Sequence, residues 1–399
     1  YVNIAFKTGG CDEKPGEYGI THFCEHMFVK GSKRFHTQKD RKDFLENHGG
    51  TYNATTSDLC LRFHGRIIAE NLAILIDVLT EMLRDALFDN EQIEIERGVI
   101  LDEMRRGLDN PDRMMHDFGM KQMFNVFVPN GTRRLGSAET IKSFTAEQLR
   151  EYAAKHMSAK NCVVTISGRI DDKNAVIEQL EQAFAFLPTH DVTQNMELTY
   201  TPCVAHCPSD KHKNVKIHVV FSDTIPDTYE NRYINKCIGR FENYLRRELQ
   251  EVLRHQNGLI YGIGFAYYGY QNDGASGFAT ETAPENIAHL VALMAKTAYR
   301  VYTENPINQE ELDKMFNLGR LGDADFLENS VARNDEISGF YRFYDKLFNF
   351  YENIDMKKSI TPEDVIKYTR GIFDAPMSII TYGAGFDADL KQIWIDNFK

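Results

Sequence analysis

The chain has 399 residues, of which 42% are hydrophobic and 26% charged, an ordinary balance for a protein of two or three domains with ample core. No apolar run approaches the roughly 18–20 residues that a membrane-crossing helix needs. The formal net charge of −12 argues against a nucleic-acid partner and favours, by long-range attraction, basic peptides.

In chain order, Tyr1-Val2-Asn3-Ile4-Ala5-Phe6 is strand-like and lacks an initiator Met. This is the expectation if a targeting segment or an earlier strand lies upstream. His22-Phe23-Cys24-Glu25-His26 is read as helical. Thr51–His64, entered from Gly49-Gly50 and rich in Thr, Tyr and Leu, predicts a strand or hairpin. Leu72, Ile76, Leu79 and Leu83 give Glu70–Arg84 an amphipathic helical period. Glu91–Met123 reads as a long helical stretch broken near Asn110-Pro111. The stretch around Pro188–Pro208 is the expected linker. Beyond it, Val215–Phe221 and Leu259–Tyr270 read as strands. Tyr229–Arg254 and Pro284–Tyr302 read as helices, the latter with proline in its first turn.

Thr145–Asp171 and Thr361–Asp387 align without gaps, sharing Thr145/Thr361, Glu147/Glu363, Tyr152/Tyr368, Ala159/Ala375, Thr165/Thr381 and Asp171/Asp387. Each copy reads as a Thr-capped helix, a turn and an apolar strand. So long a period implies two halves of one fold rather than a solenoid. The expected fold class is α+β: two homologous domains, 1–195 and 205–399, each an antiparallel-rich sheet covered by helices on one face.

The chemistry concentrates at His22, Glu25 and His26. Residues i, i+3 and i+4 share a helix face, so both imidazoles reach one ion with the glutamate beside them. This H-x-x-E-H order reverses the H-E-x-x-H zinc-protease signature. Zinc held by two imidazoles and a carboxylate keeps a position for water, and Glu25 is placed to act as its base. A third ligand must come from another segment. Glu103 is the leading candidate, and Glu96 lies seven residues earlier on the same helix face. One can bind the metal while the other orients a ligand from behind.

With those residues in view, the chain resembles the pitrilysin/insulinase family of inverted-zincin peptidases, which includes mitochondrial processing peptidase and its bacterial relatives. Gly19-Ile20-Thr21-His22-Phe23-Cys24-Glu25-His26-Met27 resembles the family's G-x-x-H-F-L-E-H-M, with Cys24 in place of Leu. The resemblance implies a zinc endopeptidase with one Zn2+ per chain. His22, His26 and Glu103 would be its ligands, Glu25 the catalytic base and Glu96 a supporting glutamate. Gly31, Gly49-Gly50 and Asn53-Ala54-Thr55 resemble the family's next block, which implies that Asn53 and Ala54 contact substrate along an edge strand. Leu253-Arg254-His255-Gln256-Asn257-Gly258-Leu259-Ile260-Tyr261 resembles L-R-E-x-x-G-L-x-Y, with His255 where the pattern has Glu. It implies substrate-binding and catalytic roles for Arg254 and Tyr261. An arginine holds a peptide carbonyl or carboxylate, and a tyrosine hydroxyl donates to an oxyanion.

Larger family members join two such halves into a clamshell. The resemblance therefore implies a homodimer enclosing a chamber that takes peptides or unfolded segments. The alternatives are the catalytic subunit of a heterodimeric presequence-processing peptidase and a non-catalytic peptide-binding relative. The cytoplasm is the expected compartment, with an organelle matrix as the alternative.

Seven scattered cysteines, an odd count, read as reduced thiols. The cluster Cys203, His206, Cys207 and His212 lacks a standard two-pair zinc spacing and is not assigned a metal. Gly262-Ile263-Gly264 lacks the strand-turn-helix setting of a phosphate loop.

Overall fold

A computed structural model describes residues 1–124, 126, 131, 132, 134–194, 198–270 and 273–399. Its principal elements begin with β1 (Val2–Phe6), α1 (Ile20–Lys30), β2 (Thr51–Thr56), β3 (Leu61–Arg66) and α2 (Leu72–Arg84). Next come α3 (Asn90–Leu108), α4 (Pro111–Phe124), α5 (Ala146–His156), β4 (Cys162–Ile166) and β5 (Val204–Pro208). The remainder comprises β6 (Val215–Ser222), α6 (Arg232–Gln250), β7 (Gly264–Gly269), β8 (Gly274–Thr282), α7 (Ile287–Thr303), α8 (Ser330–Tyr344), α9 (Pro362–Tyr368) and β9 (Met377–Gly383).

These elements form two compact units that are not continuous in sequence. The first is Tyr1–Gly107, Phe127–Met196 and Asp323–Phe348; the second is Leu108–Val126, Glu197–Gly322 and Asn349–Lys399. Each unit thus takes one helix from the other half of the chain, α8 in the first and α4 in the second. The break that frees α4 is local. Asn110 Oδ1 accepts from the Asp112 and Arg113 N–H groups, and Pro111 occupies the first turn, where its missing N–H costs nothing.

The first sheet has the order β2-β3-β1-β4, antiparallel throughout. The second reads β7-β8-β6-β9 in the same sense, with β5 added parallel to β9. The repeat is visible in atomic detail. Thr145 Oγ1 accepts from the Gln148 N–H and caps α5; Thr361 Oγ1 accepts from the Asp364 N–H and caps α9. The strands that follow, β4 and β9, run antiparallel to β1 and β6 respectively.

A layer of helices covers one face of each sheet around a large apolar core. The opposite face is covered as well, which the sequence reading did not anticipate. All five residues of β1 are buried, so both faces of that strand need a cover. In the first unit α8 supplies it through polar contacts. Asn3 Nδ2 donates to Ser338 Oγ (3.0 Å), Asn334 Nδ2 to the Thr165 carbonyl (2.8 Å), and Arg62 pairs with Asp335 (2.6 Å). In the second unit α4 packs Met115, Met120 and Met123 against Val220, Tyr268 and Ile380. Gly119 makes this possible, because a Cβ there would stand 2.5 Å from the Tyr268 ring.

Three boundaries differ from the sequence reading. Val204–Pro208, assigned to the linker, is the edge strand β5, its backbone paired with β9. Residues 195–197 of that stretch lie outside the described residues. Leu259–Ile263 is not strand, because Gly258 at φ +63° ends the preceding helix and β7 starts only at Gly264. The helix expected from Tyr229 begins at Arg232 and continues past Gln250 as a π-helical turn over Glu251–Gln256. No helix among the described residues is long and apolar enough to cross a membrane.

Under α4, His218 Nδ1 and the Tyr268 hydroxyl are 2.6 Å apart, and the His116 ring stacks on Tyr268 at 5.1 Å. Burial, with His116 and Lys216 nearby, lowers the His218 imidazole to about 4. A depressed folded-state value means stability that is complete above the ordinary histidine value of about 6.5 and is lost as pH falls toward 4. Urea titrations should therefore show stability falling with acidification in this window, and His218→Gln should flatten the slope by up to ~1.4 kcal/mol per pH unit. An unchanged slope in the variant would exclude His218 as its source.

Candidate metal centre

Helix α1 is fixed in place before it carries any chemistry. Gly19, at φ +89°, turns the chain into it, and a Cβ there would meet the Leu135 carbonyl oxygen at 2.6 Å. The buried Glu13 carboxylate accepts from the Gly19 N–H (2.7 Å) and the Thr21 N–H (2.9 Å), so two free donors of the helix start are satisfied. Burial pushes Glu13 up to about 8, against the pull of these bonds. The Cys24 thiol donates to the Leu149 carbonyl at the α5 contact, and burial raises its pKa, so it packs as an inert small side chain.

His22 and His26 leave α1 one turn apart, their ring centroids 4.6 Å from each other. Glu103 comes from α3, and its Oε2 lies 3.6 Å from His22 Nε2 and 3.9 Å from His26 Nε2. One ligand atom from each of the three falls within 4.8 Å of the others. Ligands about 2.0–2.2 Å from a tetrahedral zinc stand roughly 3.3–3.6 Å apart, so this donor set fits the ion with only small side-chain adjustment. Among the described residues it is the one group of this kind.

Glu96 lies behind His26. Its Oε2 is 2.8 Å from His26 Nδ1, and its Oε1 accepts from Lys30 Nζ at 2.6 Å. Burial acts to raise this carboxyl, but the bonds to His26 and Lys30 outweigh it and hold Glu96 below the usual carboxylate range. The contact selects the imidazole tautomer with hydrogen on Nδ1 and leaves the Nε2 lone pair facing Glu103. Glu25 accepts a short hydrogen bond from the Thr56 hydroxyl. Its carboxyl is raised chiefly by burial, with Thr56 and His26 opposing.

Asn53 and Ala54 lie on β2, the edge of the first sheet and the strand that also carries Thr56. Asn53 is exposed and Ala54 buried, as alternation along a half-covered strand requires. Arg254 and Tyr261 belong to the second unit. The guanidinium carbon lies 5.0 Å from the Tyr261 ring centroid, and Tyr261 is 89% exposed. Arg254 is held on the π-helical turn, a feature that often marks functional segments. Cys203 precedes β5 and Cys207 lies within it, and no metal group forms around them among the described residues.

Sequence reasoning missed Glu13, Lys30 and Thr56. Lys30 follows His26 by four and was within reach of a helix-face argument. Glu13 and Thr56 carry no local signal, because their partners are set by the fold.

Two histidines and an acid on one helix, a carboxylate from a second, and a buried glutamate behind make a donor set of the kind a metallopeptidase needs. Residues 1–130 match the family described as Insulinase (Peptidase family M16), and residues 143–318 match the Peptidase M16 inactive domain. The chain belongs to this family and is, by class, a zinc metalloendopeptidase. It is 24% identical to an uncharacterized zinc protease of Rickettsia bellii, over 96% of this chain and 92% of the relative. It is 25% identical to the mitochondrial-processing peptidase subunit beta of Bos taurus, over 79% and 66% respectively. A protease structure from Helicobacter pylori shares the fold at a TM-score of 0.79 and 17% identity, covering 96% of this chain and 93% of that one. The periplasmic protease PqqL of Escherichia coli matches at 0.77 and 16% identity over all of this chain and 47% of its own.

If Glu96 orients His26 from behind, Glu96→Gln should weaken zinc binding by about 10–100-fold with the fold intact. Competition with a chromophoric chelator, read beside the far-UV spectrum, measures this.

Proposed function

We propose that the protein hydrolyses peptide bonds in peptides or unfolded segments, with His22, His26 and Glu103 holding Zn2+. The single observation that carries this reading is the convergence of these three donors beside a half-buried Glu25. When bound, the ion supplies a Lewis acid that polarises the scissile carbonyl and acidifies water. Glu25 takes the proton from the attacking water and delivers it to the leaving amine. Thr56 holds the Glu25 carboxylate in one orientation, while Glu96, anchored by Lys30, fixes the ring of His26. The open edge of β2, with Asn53 and Ala54, is proposed to pair with the substrate backbone, a mode that tolerates many side chains.

Arg254 and Tyr261 are proposed to hold the substrate and to stabilise the tetrahedral intermediate. The proposed active form is a homodimer in which a second copy supplies them. The net charge of −12 favours basic peptides over acidic ones. A second reading, the catalytic subunit of a heterodimeric processing peptidase, is supported by the likeness to mitochondrial-processing peptidase beta subunits.

Glu25→Gln should lower peptide cleavage by about 10²–10⁴-fold with zinc content unchanged. Mass-spectrometric mapping of a mixed peptide library beside metal analysis decides it, and full activity in the variant would overturn the assignment. Tyr261→Phe should keep the metal and lower kcat/KM by up to ~10²-fold. Sedimentation of the purified chain separates the two assemblies. An active dimer supports the first, and a monomer that is inert until a different subunit is added supports the second.

A further inference from the structure

The second unit contains a cavity of about 260 Å³ that peptide hydrolysis as proposed does not use. It lies beside β6 and β8, against α6, with Ile372 and Phe373 also lining it. Three polar side chains meet on its wall: Asp223 just past β6, Glu242 from α6 and Ser276 from β8. Ser276 Oγ is 2.8 Å from Asp223 Oδ1 and 3.2 Å from Glu242 Oε1. A hydroxyl has one proton to give, so it satisfies one carboxylate at a time. The second must keep a proton of its own or find a donor elsewhere. The backbone is shaped around the pair, since a Cβ on Gly274 would stand 2.1 Å from Asp223 Oδ2.

The rest of the wall is largely apolar, formed by Phe241, Leu245, Tyr267, Phe278 and Phe373 among others, and among the described residues none that line it is Lys, Arg or His. Asp227 adds a third carboxylate, which accepts from Asn235 Nδ2 at 3.2 Å. A chamber with acids on one side and rings around the rest suits a particular ligand shape.

We propose that this cavity binds an organic cation on an apolar stem, an alkylammonium or alkylguanidinium, carried by a free amine or by a basic side chain of a peptide. The cationic head brings N–H donors, whereas among the described residues the Ser276 hydroxyl is the side-chain donor that Asp223 and Glu242 share, and charge-assisted bonds of this kind are the strong ones. The stem packs on the aliphatic wall while ring faces attract the head. A bare divalent ion fits less well, because it asks for six or more oxygen ligands and has no use for apolar walls. Burial raises the Asp223 carboxyl and lifts Glu242 to about 7, as expected of acids without a counter-charge. The site lies wholly within the second unit and does not depend on the peptidase reading.

Calorimetric titration of the whole chain with n-butylammonium, n-butylguanidinium and the neutral isostere 1-pentanol tests this. Saturable one-to-one binding of either cation, with the alcohol at least tenfold weaker, is expected. Asp223→Asn and Glu242→Gln, checked for intact melting, should each weaken the cation at least tenfold. If neither variant folds, the cation-against-alcohol comparison on the unaltered protein decides alone. Displacement of n-butylammonium by acetyl-Gly-Lys-Gly-amide marks a side-chain subsite, and its exclusion marks a site for free amines; both uphold the cation chemistry. Failure of both cations to bind, equal binding of the alcohol, or affinity unchanged in folded carboxylate variants overturns the proposal. So does Mn2+ binding that displaces the cation and disappears in the same variants.

Discussion

The hydrogen bond between His26 Nδ1 and Glu96 ties α1 to α3, and the metal centre depends on that tie. Both histidines leave α1, while Glu103 leaves α3 two turns beyond Glu96. Neither helix alone presents three donors, so a relative shift of one helix would separate them. Glu96 is held from two sides, by His26 and by Lys30, and the Lys30 charge offsets the cost of keeping that carboxylate partly buried. At the start of α1, Glu13 occupies two backbone donors from a buried position. The candidate centre is thus supported at both ends by acidic side chains, Glu13 and Glu96, that lie outside the donor set.

The two sheets illustrate how duplication and exchange combine. Their strand orders correspond, and their Thr-capped helices lead into corresponding strands. Each sheet is covered on its second face by a helix from the other half of the chain, yet by different chemistry. The first sheet meets α8 through Asn3, Arg62 and Thr165, where buried amides and a charged pair must each find a partner. The second meets α4 through methionines and Tyr268, where flexible thioethers fill the space around a ring. Duplicated halves have kept the architecture while their covered faces diverged.

The same divergence separates the polar sites of the two units. In the first, carboxylates meet histidines and a lysine, so their charge is answered within the protein. In the second, Asp223 and Glu242 share a single serine hydroxyl against apolar walls, and among the described residues lining the cavity none carries a positive charge. That contrast in donor supply distinguishes the candidate metal centre from the cavity of the second unit.

The sequence by itself determined the family and the repeat and singled out the candidate metal donors, because each rests on short-range spacing. His22, Glu25 and His26 are fixed by helix period, Glu96 and Glu103 by two turns of one helix, and the Thr145 and Thr361 caps by neighbours three residues away. Arg254 and Tyr261, whose roles are a proposal, were singled out only through resemblance, because a spacing of seven across a π turn and a left-handed glycine follows no regular period. Tertiary structure alone decided the exchange of α4 and α8, the pairing of β5 and the partners of Glu13 and Thr56. It also decided the cavity at Asp223 and Glu242, whose members lie far apart in sequence. Such contacts join residues that carry no local pattern, and they appear only when the sheets have formed and buried polar groups must find partners.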